Sequence, residues 1–282
     1  MTRIHSIATA VGLAGGALVA SVLTAVAPAI ALTQEEVARK LNNVPVFTLF
    51  NPELKKFAVA SLEVDGKSIS LVPSYVDRTD AERLLQEQRS ANTAIAKGVE
   101  VRTIPLSLVF LESEKSKNKP DQPAFQVVPD EDEIKIALQM QAAEGKKDQN
   151  WRGIPLFYAP NLGITLKGAD GKPQPILPMY FSRADLETYV AEAKKGDAAL
   201  AKTQIPIKVT TLDRVLQTLL TNNDPAMNQV EFIPPRASLE YVVQSQRQNA
   251  NPQNAKPQNA KPANQPAAPA QKKQAPNPAP KK

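Results

Sequence analysis

The stretch LPMYFSRADLETYV at residues 177–190 is echoed by VPSYVDRTDAERLL at residues 72–85, with Pro, Tyr, Arg, Asp and Glu at the same places. In each copy a short apolar run ends at a residue that can cap a helix, Ser182 or Asp77, and an amphipathic segment follows. The pattern predicts that a strand passes into a capped helix twice in this chain.

Further landmarks repeat around this echo in the same order. VPVFT at 44–48 resembles IPLFY at 154–158, TIPLSLV at 103–109 resembles QIPIKVT at 204–210, and FQVVP at 125–129 resembles VEFIP at 230–234. A repeat of about a hundred residues indicates a duplicated unit, and two copies favour a symmetric pair over a solenoid. We therefore expect a first half at residues 32–145 and a second half at residues 146–246.

Short strands and one-sided helices in each half predict an α+β fold, built from two α/β halves related by a pseudo-two-fold axis. Besides the helices that follow the echo, helices are predicted at Gln34 to Leu41, Glu133 to Ala143, Leu212 to Leu220 and Ser238 to Val243. The first begins with a capping box of Thr33 and Glu36. The hydrophilic run at 112–123 is predicted to be an exposed loop.

The first 31 residues are typical of a targeting segment. Arg3 precedes an apolar run at 7–26, Pro28 follows it, and Ala29-Ile30-Ala31 forms a small-residue cleavage site. This order predicts a secretory signal peptide that is cut after Ala31. A retained membrane anchor is the alternative, because the apolar run is nearly long enough to span a bilayer.

The tail at residues 247–282 contains only Ala, Pro, Asn, Gln, Lys and one Arg, and it repeats QNAKP. Such a segment has almost nothing to bury, so we expect it to be disordered with polyproline character. It is either a solvated spacer or a basic arm that contacts anionic cell-wall polymer or a membrane surface.

The composition excludes most kinds of catalytic site. The chain has no cysteine, and its single histidine, His5, lies in the signal peptide. The mature protein therefore lacks a histidine base, a Ser-His-Asp or Cys-His site and the usual zinc ligands. We assign no catalytic, cofactor-binding or metal-binding residue and expect a protein that is not an enzyme.

The net charge of +6 resides in the tail. Seven of the cations and no acid lie at residues 247–282, and Arg3 lies in the signal peptide, so residues 32–246 carry a net charge of −2. A body without excess positive charge does not favour nucleic acid as a partner.

The segments LNNVPVFTL at 41–49 and WRGIPLFYA at 151–159, together with the echoed pair, give the chain a likeness to a known family. It resembles the Tic-twenty-two-like family over about residues 33–243. This family comprises the soluble intermembrane-space component of the chloroplast import machinery and its cyanobacterial relatives. The resemblance implies a pseudo-two-fold pair of α/β halves with apolar grooves.

The resemblance also implies a function and a compartment. It implies a chaperone-like escort for unfolded or precursor proteins, including outer-membrane barrel proteins with their assembly or import machinery. It further implies a periplasmic location in a cyanobacterium, in part associated with thylakoids. A structural envelope tether that uses the basic tail is the main alternative, and an envelope enzyme that uses paired carboxylates on sugar polymers is a third.

Two residues are candidates for client contact. In the helix near Glu133, Ile136 and Met140 lie on a different flank from the main apolar face, and methionine adapts to varied partners. Core packing between the halves is the alternative explanation for these positions. At the echo, Arg78 and Arg183 stand unfavourably in first helical turns, which predicts ion pairs with Asp80 and Asp185 or with a carboxylate across the axis.

Overall fold

The computed structural model describes residues 31–250, apart from residues 65, 94, 95, 118, 120, 121, 147–149, 161, 163 and 168–170. The elements of the first half are α1 Gln34–Leu41, β1 Pro45–Asn51, β2 Lys56–Phe57, β3 Ala60–Val64, β4 Lys67–Tyr75, α2 Arg78–Ser90, β5 Glu100–Pro105, α3 Leu106–Ser116, β6 Ala124–Val128 and α4 Glu131–Ala143. Those of the second half are β7 Pro155–Tyr158, β8 Ile164–Lys167, β9 Pro173–Tyr180, α5 Arg183–Gly196, α6 Ala198–Ala201, β10 Lys208–Thr211, α7 Leu212–Thr221, β11 Val230–Ile233 and α8 Arg236–Ala250.

The structure is a mixed α+β fold with two sheets, as predicted. In the first sheet β1 lies between β5 and β4, antiparallel to both, and β6 runs parallel to β4 on its other side. In the second sheet β7 lies between β10 and β9, antiparallel to both, and β11 runs parallel to β9. Strand β3 forms an antiparallel hairpin with the first part of β4, and β8 forms one with the first part of β9.

The two sheets match in register as well as in order. Phe47 of β1 lies opposite Tyr75 of β4, and Phe157 of β7 lies opposite Tyr180 of β9. The echoed tyrosines therefore hold the same place in each sheet. The predicted strand-to-helix junctions are confirmed, because Asp77 caps α2 and the Ser182 hydroxyl accepts a hydrogen bond from the amide of Asp185 in α5.

The helices α3 and α7 begin in matching ways. The amide of Leu106 donates to the Val44 carbonyl and the amide of Leu212 donates to the Ile154 carbonyl, both at 2.8 Å. Helix α3 therefore starts where β5 ends, and α7 starts where β10 ends. Both starts lie beside the residue that precedes the central strand, β1 or β7.

The last helix of each half packs against the sheet of the other half. Helix α4 lies on β7 and β10, whereas α8 lies on β1, where the ring of Tyr241 meets Phe47 edge-on with centroids 5.8 Å apart. One large hydrophobic cluster also joins the halves, since it contains Val46 and Phe110 as well as Leu156 and Leu219. The halves therefore share a core.

The capped helix α1 is confirmed at Gln34–Leu41 with its capping box. The Thr33 hydroxyl accepts from the Glu36 amide at 3.2 Å, and the Glu36 carboxylate accepts from the Thr33 amide at 2.8 Å. Three apolar side chains of α1, Val37, Ala38 and Leu41, are buried.

The predicted loop at 112–123 is wrong in its first part, because α3 continues to Ser116. Ion pairs between Lys115 and Glu112 and between Lys117 and Glu114, each one turn apart, stabilise this hydrophilic end. The sequence match of 103–109 with 204–210 is also out of register.

In the structure Thr103 lies opposite Phe47 and Val209 lies opposite Phe157, so Thr103 and Val209 correspond. The match rested on two prolines with different roles, since Pro105 ends β5 whereas Pro206 precedes β10. Proline is thus the last residue of a strand in the first half and lies before the start of a strand in the second half.

The predicted tail begins too early, because α8 runs to Ala250 and includes residues 247–250. Gln, Arg and Ala are good helix formers, and the helix therefore continues past its last apolar residues. The rest of the tail, the signal peptide and all but the last residue of its cleavage site lie outside the described residues. Among the described helices none is long and apolar enough to cross a membrane.

Candidate functional site

A groove of about 810 Å³ lies between α3 and α7. Along α3 the groove is lined by Leu106, Val109, Phe110, Ser113, Glu114 and Lys117. Along α7 it is lined by Leu212, Asp213, Leu216, Gln217, Leu220 and Thr221. Residues spaced by three and four positions form one face of each helix, so two matching helices supply the two walls.

One side of the groove is the free edge of β6. Phe125, Gln126 and Val127 all line it. Because side chains alternate between the faces of a strand, a groove that touches all three runs along the edge of the strand. Strand β6 pairs with β4 on its other side, and among the described residues no strand covers this edge.

The floor of the groove needs a glycine. Gly153 has φ of +88°, and a Cβ atom there would lie 2.7 Å from a carboxylate oxygen of Asp213. The left-handed backbone strains any residue that has a side chain, and a Cβ atom here would also displace the Asp213 carboxylate. Gly153 therefore lets α7 begin against the segment that leads into β7.

Charged groups lie at the two ends of the groove. At the C-terminal end of α3, Lys117 pairs with Glu114, which also accepts a hydrogen bond at 3.3 Å from the side chain of Gln34. At the opposite end, Asp213 stands in the first turn of α7 beside Gly153. An occupant therefore meets the Lys117–Glu114 ion pair at one end and Asp213 at the other, where Arg152 also lines the groove, with apolar walls between.

A smaller hollow of about 190 Å³ lies where the N-termini of α2, α4, α5 and α8 converge. Its carboxylates serve as helix caps. Asp77 caps α2, Asp130 caps α4, Glu133 accepts from the first amide of α5 at 3.3 Å, and Asp185 accepts from the first amide of α8 at 2.9 Å. Of these bonds, the one between the Arg183 amide and Glu133 joins the two halves.

Burial raises the pKa of Glu133 above its usual range, and the nearby carboxylates Asp130 and Asp185 raise it further. The hydrogen bonds from the Arg183 amide and from Ser182 act in the opposite direction but do not reverse the shift. Tyr180 is also affected by its surroundings, because burial raises its pKa to about 12.

The predicted client contacts Ile136 and Met140 do not line the groove. The structure places both on α4, half-buried against the cluster that contains Phe157 and Leu186. They therefore pack side by side on the second half. Client contact through these two residues stays a prediction.

The predicted partners of the two first-turn arginines are wrong. Arg78 pairs with Glu82 at 2.6 Å and Arg183 pairs with Glu187 at 2.8 Å, one turn further along each helix. Four residues is the spacing at which side chains on a helix meet, whereas Asp185 is occupied as a cap for α8.

The groove was missed from sequence because apolar helix positions were attributed to the core. Leu212, Val215 and Leu219 of α7 are indeed buried, but Leu216 is half-exposed and faces the groove. The available signal is the run LSLVFL at 106–111, which is apolar on all sides of a helix and exceeds what one core face can bury.

Within the described residues no cluster of three or more His, Cys, Asp or Glu side chains could hold a metal ion. The groove instead offers apolar walls, a strand edge and a few charges. Such a surface suits a polypeptide segment.

Comparison with known proteins adds a family. The Tic22-like family matches residues 13–247 of the chain. Two curated relatives are the chloroplastic Protein TIC 22-like of Arabidopsis thaliana, 26% identical over 207 residues, and the chloroplastic Protein TIC 22 of Pisum sativum, 29% identical over 225 residues. The first match covers 72% of this chain and 62% of the relative, and the second covers 79% and 82%.

Two solved structures share the fold. Anabaena Tic22, described as a protein-transport structure, superposes with a TM-score of 0.63 at 24% identity and covers 76% of this chain and 97% of its own. Tic22 from Plasmodium falciparum superposes with a TM-score of 0.59 at 21% identity and covers 75% of this chain and 98% of its own.

Proposed function

Because the chain belongs to the Tic22-like family, we propose that it is a chaperone-like protein-transport factor that holds unfolded or precursor polypeptides in the groove between α3 and α7. The observation that carries this proposal is the groove itself, with apolar walls and an edge of β6 that pairs with no strand among the described residues. Holding a client requires apolar surface and main-chain partners, and it requires no catalytic group or nucleotide.

The proposed compartment and partners rest on the signal peptide predicted at residues 1–31 and on the family to which the chain belongs. We propose export to a cyanobacterial periplasm, with part of the protein at thylakoids. The proposed clients are outer-membrane barrel proteins and other precursors, delivered to their assembly or import machinery. The basic tail is proposed to make peripheral contact with a membrane or the cell wall.

The matched registers support the further proposal that the chain is internally duplicated. Equivalent pairs such as Phe47 with Tyr75 and Phe157 with Tyr180 occur in one order in both sheets. The exchange of α4 and α8 between the halves agrees with a pseudo-two-fold relation.

The test is suppression of aggregation of a urea-unfolded outer-membrane barrel protein after dilution, followed by light scattering. Leu216→Glu places a charge in the groove, and Val243→Glu places the same charge on an exposed part of α8. Since one buried leucine is worth roughly 1.5–3 kcal/mol, the groove variant should bind its client about tenfold or more weakly. The Val243 variant should act as the wild type does.

Thermal unfolding of both variants checks that they are folded. Equal suppression by the two variants would remove the groove as the binding surface. Deletion of residues 251–282, which leaves α8 intact, separates the tether from the escort. Loss of envelope retention with full client binding would assign tethering to the tail alone.

A client contact at Ile136 and Met140 remains a separate proposal. Met140→Glu tests it in the same assay. Weaker client binding without a fall in melting temperature would support the contact, whereas a lower melting temperature with unchanged binding would assign Met140 to packing between the halves.

A further inference from the structure

The helix α1 covers a surface that closely corresponds to the open groove. Its entry is fixed by the Leu32 amide, which donates to the Leu219 carbonyl near the end of α7 at 2.9 Å. Its exit is fixed by Asn42, whose side chain accepts a hydrogen bond from Ser107 near the start of α3 at 3.2 Å. Because Gln34 also donates to Glu114, helix α1 lies along α3 in the opposite direction, with its start against the end of α7.

Helix α1 also occupies the region beside β11. The ammonium group of Lys40 donates to the carbonyls of Asn228 and Val230, both at 2.9 Å, and lies 3.3 Å from the carboxylate of Glu231. The first carbonyl of β11 and a carbonyl just before the strand are thereby paired with a side chain of α1.

The matched registers relate these contacts to the open groove. Leu106 and Leu212 begin α3 and α7 with the same main-chain hydrogen bond, so the two helices can be aligned on these residues. In this alignment Ser113 is equivalent to Leu219, Lys117 to Asn223, and Asp213 to Ser107. The pairing of β6 and β11 with the echoed tyrosines likewise makes Phe125 equivalent to Val230 and Gln126 to Glu231. Each of these five equivalents, Ser113, Lys117, Asp213, Phe125 and Gln126, lines the open groove.

No helix precedes β7 in the way that α1 precedes β1, within the described part of residues 146–154. One of two corresponding surfaces is therefore covered by a segment of the chain, and the other is open. The covered surface shows what kind of segment fits.

We propose that the open groove binds a short amphipathic helix of another polypeptide, in the way that α1 covers the corresponding surface. This inference rests on the proposed function and specifies the client segment. The segment resembles α1, with apolar residues one, three and four positions apart, as at Val37, Ala38 and Leu41. Eight residues of helix span about 12 Å.

The correspondence with α1 defines the direction of the bound helix. The N-terminal end of α1 lies at the Asn223 side chain, which accepts from the Ala31 amide at 2.8 Å, and the equivalent position in the groove is Lys117. The C-terminal end lies at Ser107, and the equivalent is Asp213. A helix with acids in its first turn and a cation in its last turn, as in α1, places its acids beside the Lys117–Glu114 pair and its cation beside Asp213.

The test uses a synthetic peptide of residues 32–43, LTQEEVARKLNN, as the probe and the chain without residues 1–31 as the receptor. Since the chain has no cysteine, Gln126→Cys provides a single thiol for an environment-sensitive fluorophore in the groove. Lys115→Cys on the exposed side of α3 is the matched control. We expect a saturable fluorescence change at position 126 and none at position 115.

Charge variants test the direction of binding. Lys117→Glu should weaken peptide binding about two- to fivefold, the range of an exposed charge pair. Lys115→Glu should leave it unchanged, and a peptide with Glu35 and Glu36 replaced by Lys should restore binding to the Lys117 variant. Equal effects of the two lysine variants would overturn the proposed orientation.

A peptide carrying Ala38→Pro, which cannot form the helix, should bind at least tenfold more weakly. Equal binding of this peptide, or tighter binding of an extended peptide of alternating Val and Thr, would overturn the helix inference and leave the client-binding groove intact. A signal at a Glu231→Cys label in place of Gln126→Cys would show exchange with α1 and also overturn it. If Leu216→Glu changes neither the binding of the peptides nor the binding of the unfolded client, the proposed function fails as well.

Discussion

Helices α4 and α8 end the two halves of the chain and each crosses to the other sheet, but they attach by different chemistry. The third residue of α4, Glu133, is a half-buried carboxylate that accepts the first amide of α5. The third residue of α8, Ser238, is a buried hydroxyl that donates to the Val76 carbonyl at 2.9 Å. The two crossings thus differ at the third residue of the helix, which is ionisable in α4 and neutral in α8.

The largest expected effect comes from the phenylalanines beneath the crossings. Phe47 contacts α8 through Tyr241, and Phe157 belongs to the cluster that α4 joins through Ile136. Both rings are fully buried. Phe47→Ala and Phe157→Ala should each lower the free energy of unfolding by about 3–5 kcal/mol, measured by urea denaturation.

Because the halves share a core, each variant should unfold in a single transition that moves as a whole. Trp151 fluorescence and far-UV circular dichroism should give the same midpoint. Two separated transitions, with only one of them shifted, would contradict the shared core and make the halves independent domains.

The next effect tests the neutral crossing. Ser238→Ala removes the donor to the Val76 carbonyl at a buried site, and an unpaired buried polar group costs about 1–3 kcal/mol. The loss should appear as a lower urea midpoint that is independent of pH between 5 and 8. Ser245→Ala on the same helix serves as the control, and an equal loss there would attribute the effect to α8 rather than to this bond.

At the α4 crossing, replacing Glu133 should raise the stability of the folded protein by an amount that depends on pH. The pKa of Glu133 is raised in the folded protein, so ionising it costs more in the folded than in the unfolded state. This cost is absent below the unfolded pKa, grows as pH rises through the folded pKa and persists above it. Glu133→Gln keeps an oxygen for the Arg183 amide and removes the cost, so its melting temperature should exceed that of the wild type at pH 7.

The difference between Glu133→Gln and the wild type should narrow as pH falls toward 4. Asp132→Asn is the neighbouring control with the opposite sign, since the pairing of Asp132 with Lys135 lowers the pKa of that exposed carboxyl. A Glu133 variant that melts at or below the wild-type temperature at pH 7 would show that the carboxylate is needed as an ionised cap.

Local signals predicted the helix starts well. The capping box of α1 and the caps Asp77 and Ser182 act within a few residues, so sequence alone specified them. The α+β class also followed from alternating strand and helix patterns. The same local reasoning failed at 103–109, where a shared proline had different structural roles in the two halves.

The groove could not be predicted because it depends on contacts distant in sequence. An apolar residue such as Leu216 has the same pattern whether it faces a core or an open wall. The pairing of Lys40 with carbonyls near β11 joins residues about 190 positions apart, and no local pattern encodes it. Only the three-dimensional arrangement shows that one surface is covered by α1 and the other is open.

The smallest expected effect is a difference in stability between variants of Arg78 and Arg183, the two arginines at matching places in α2 and α5. Both make a surface ion pair one turn along their helix, and such a pair contributes at most about 0.5 kcal/mol. Arg78 also places its guanidinium 3.8 Å from the centre of the Tyr241 ring on α8. The corresponding position of α4 is Ile136, which offers no aromatic face, so only the first crossing gains a cation–π contact.

Arg78→Ala should therefore cost about 0.5–1 kcal/mol more than Arg183→Ala in urea denaturation. Tyr241→Leu should abolish this excess, because the ion pair with Glu82 remains while the ring is lost. A double-mutant cycle of Arg78 and Tyr241 measures the coupling directly. If the two arginine variants lose equal stability, the ring contributes only packing against Phe47, and the two crossings differ solely in Glu133 and Ser238.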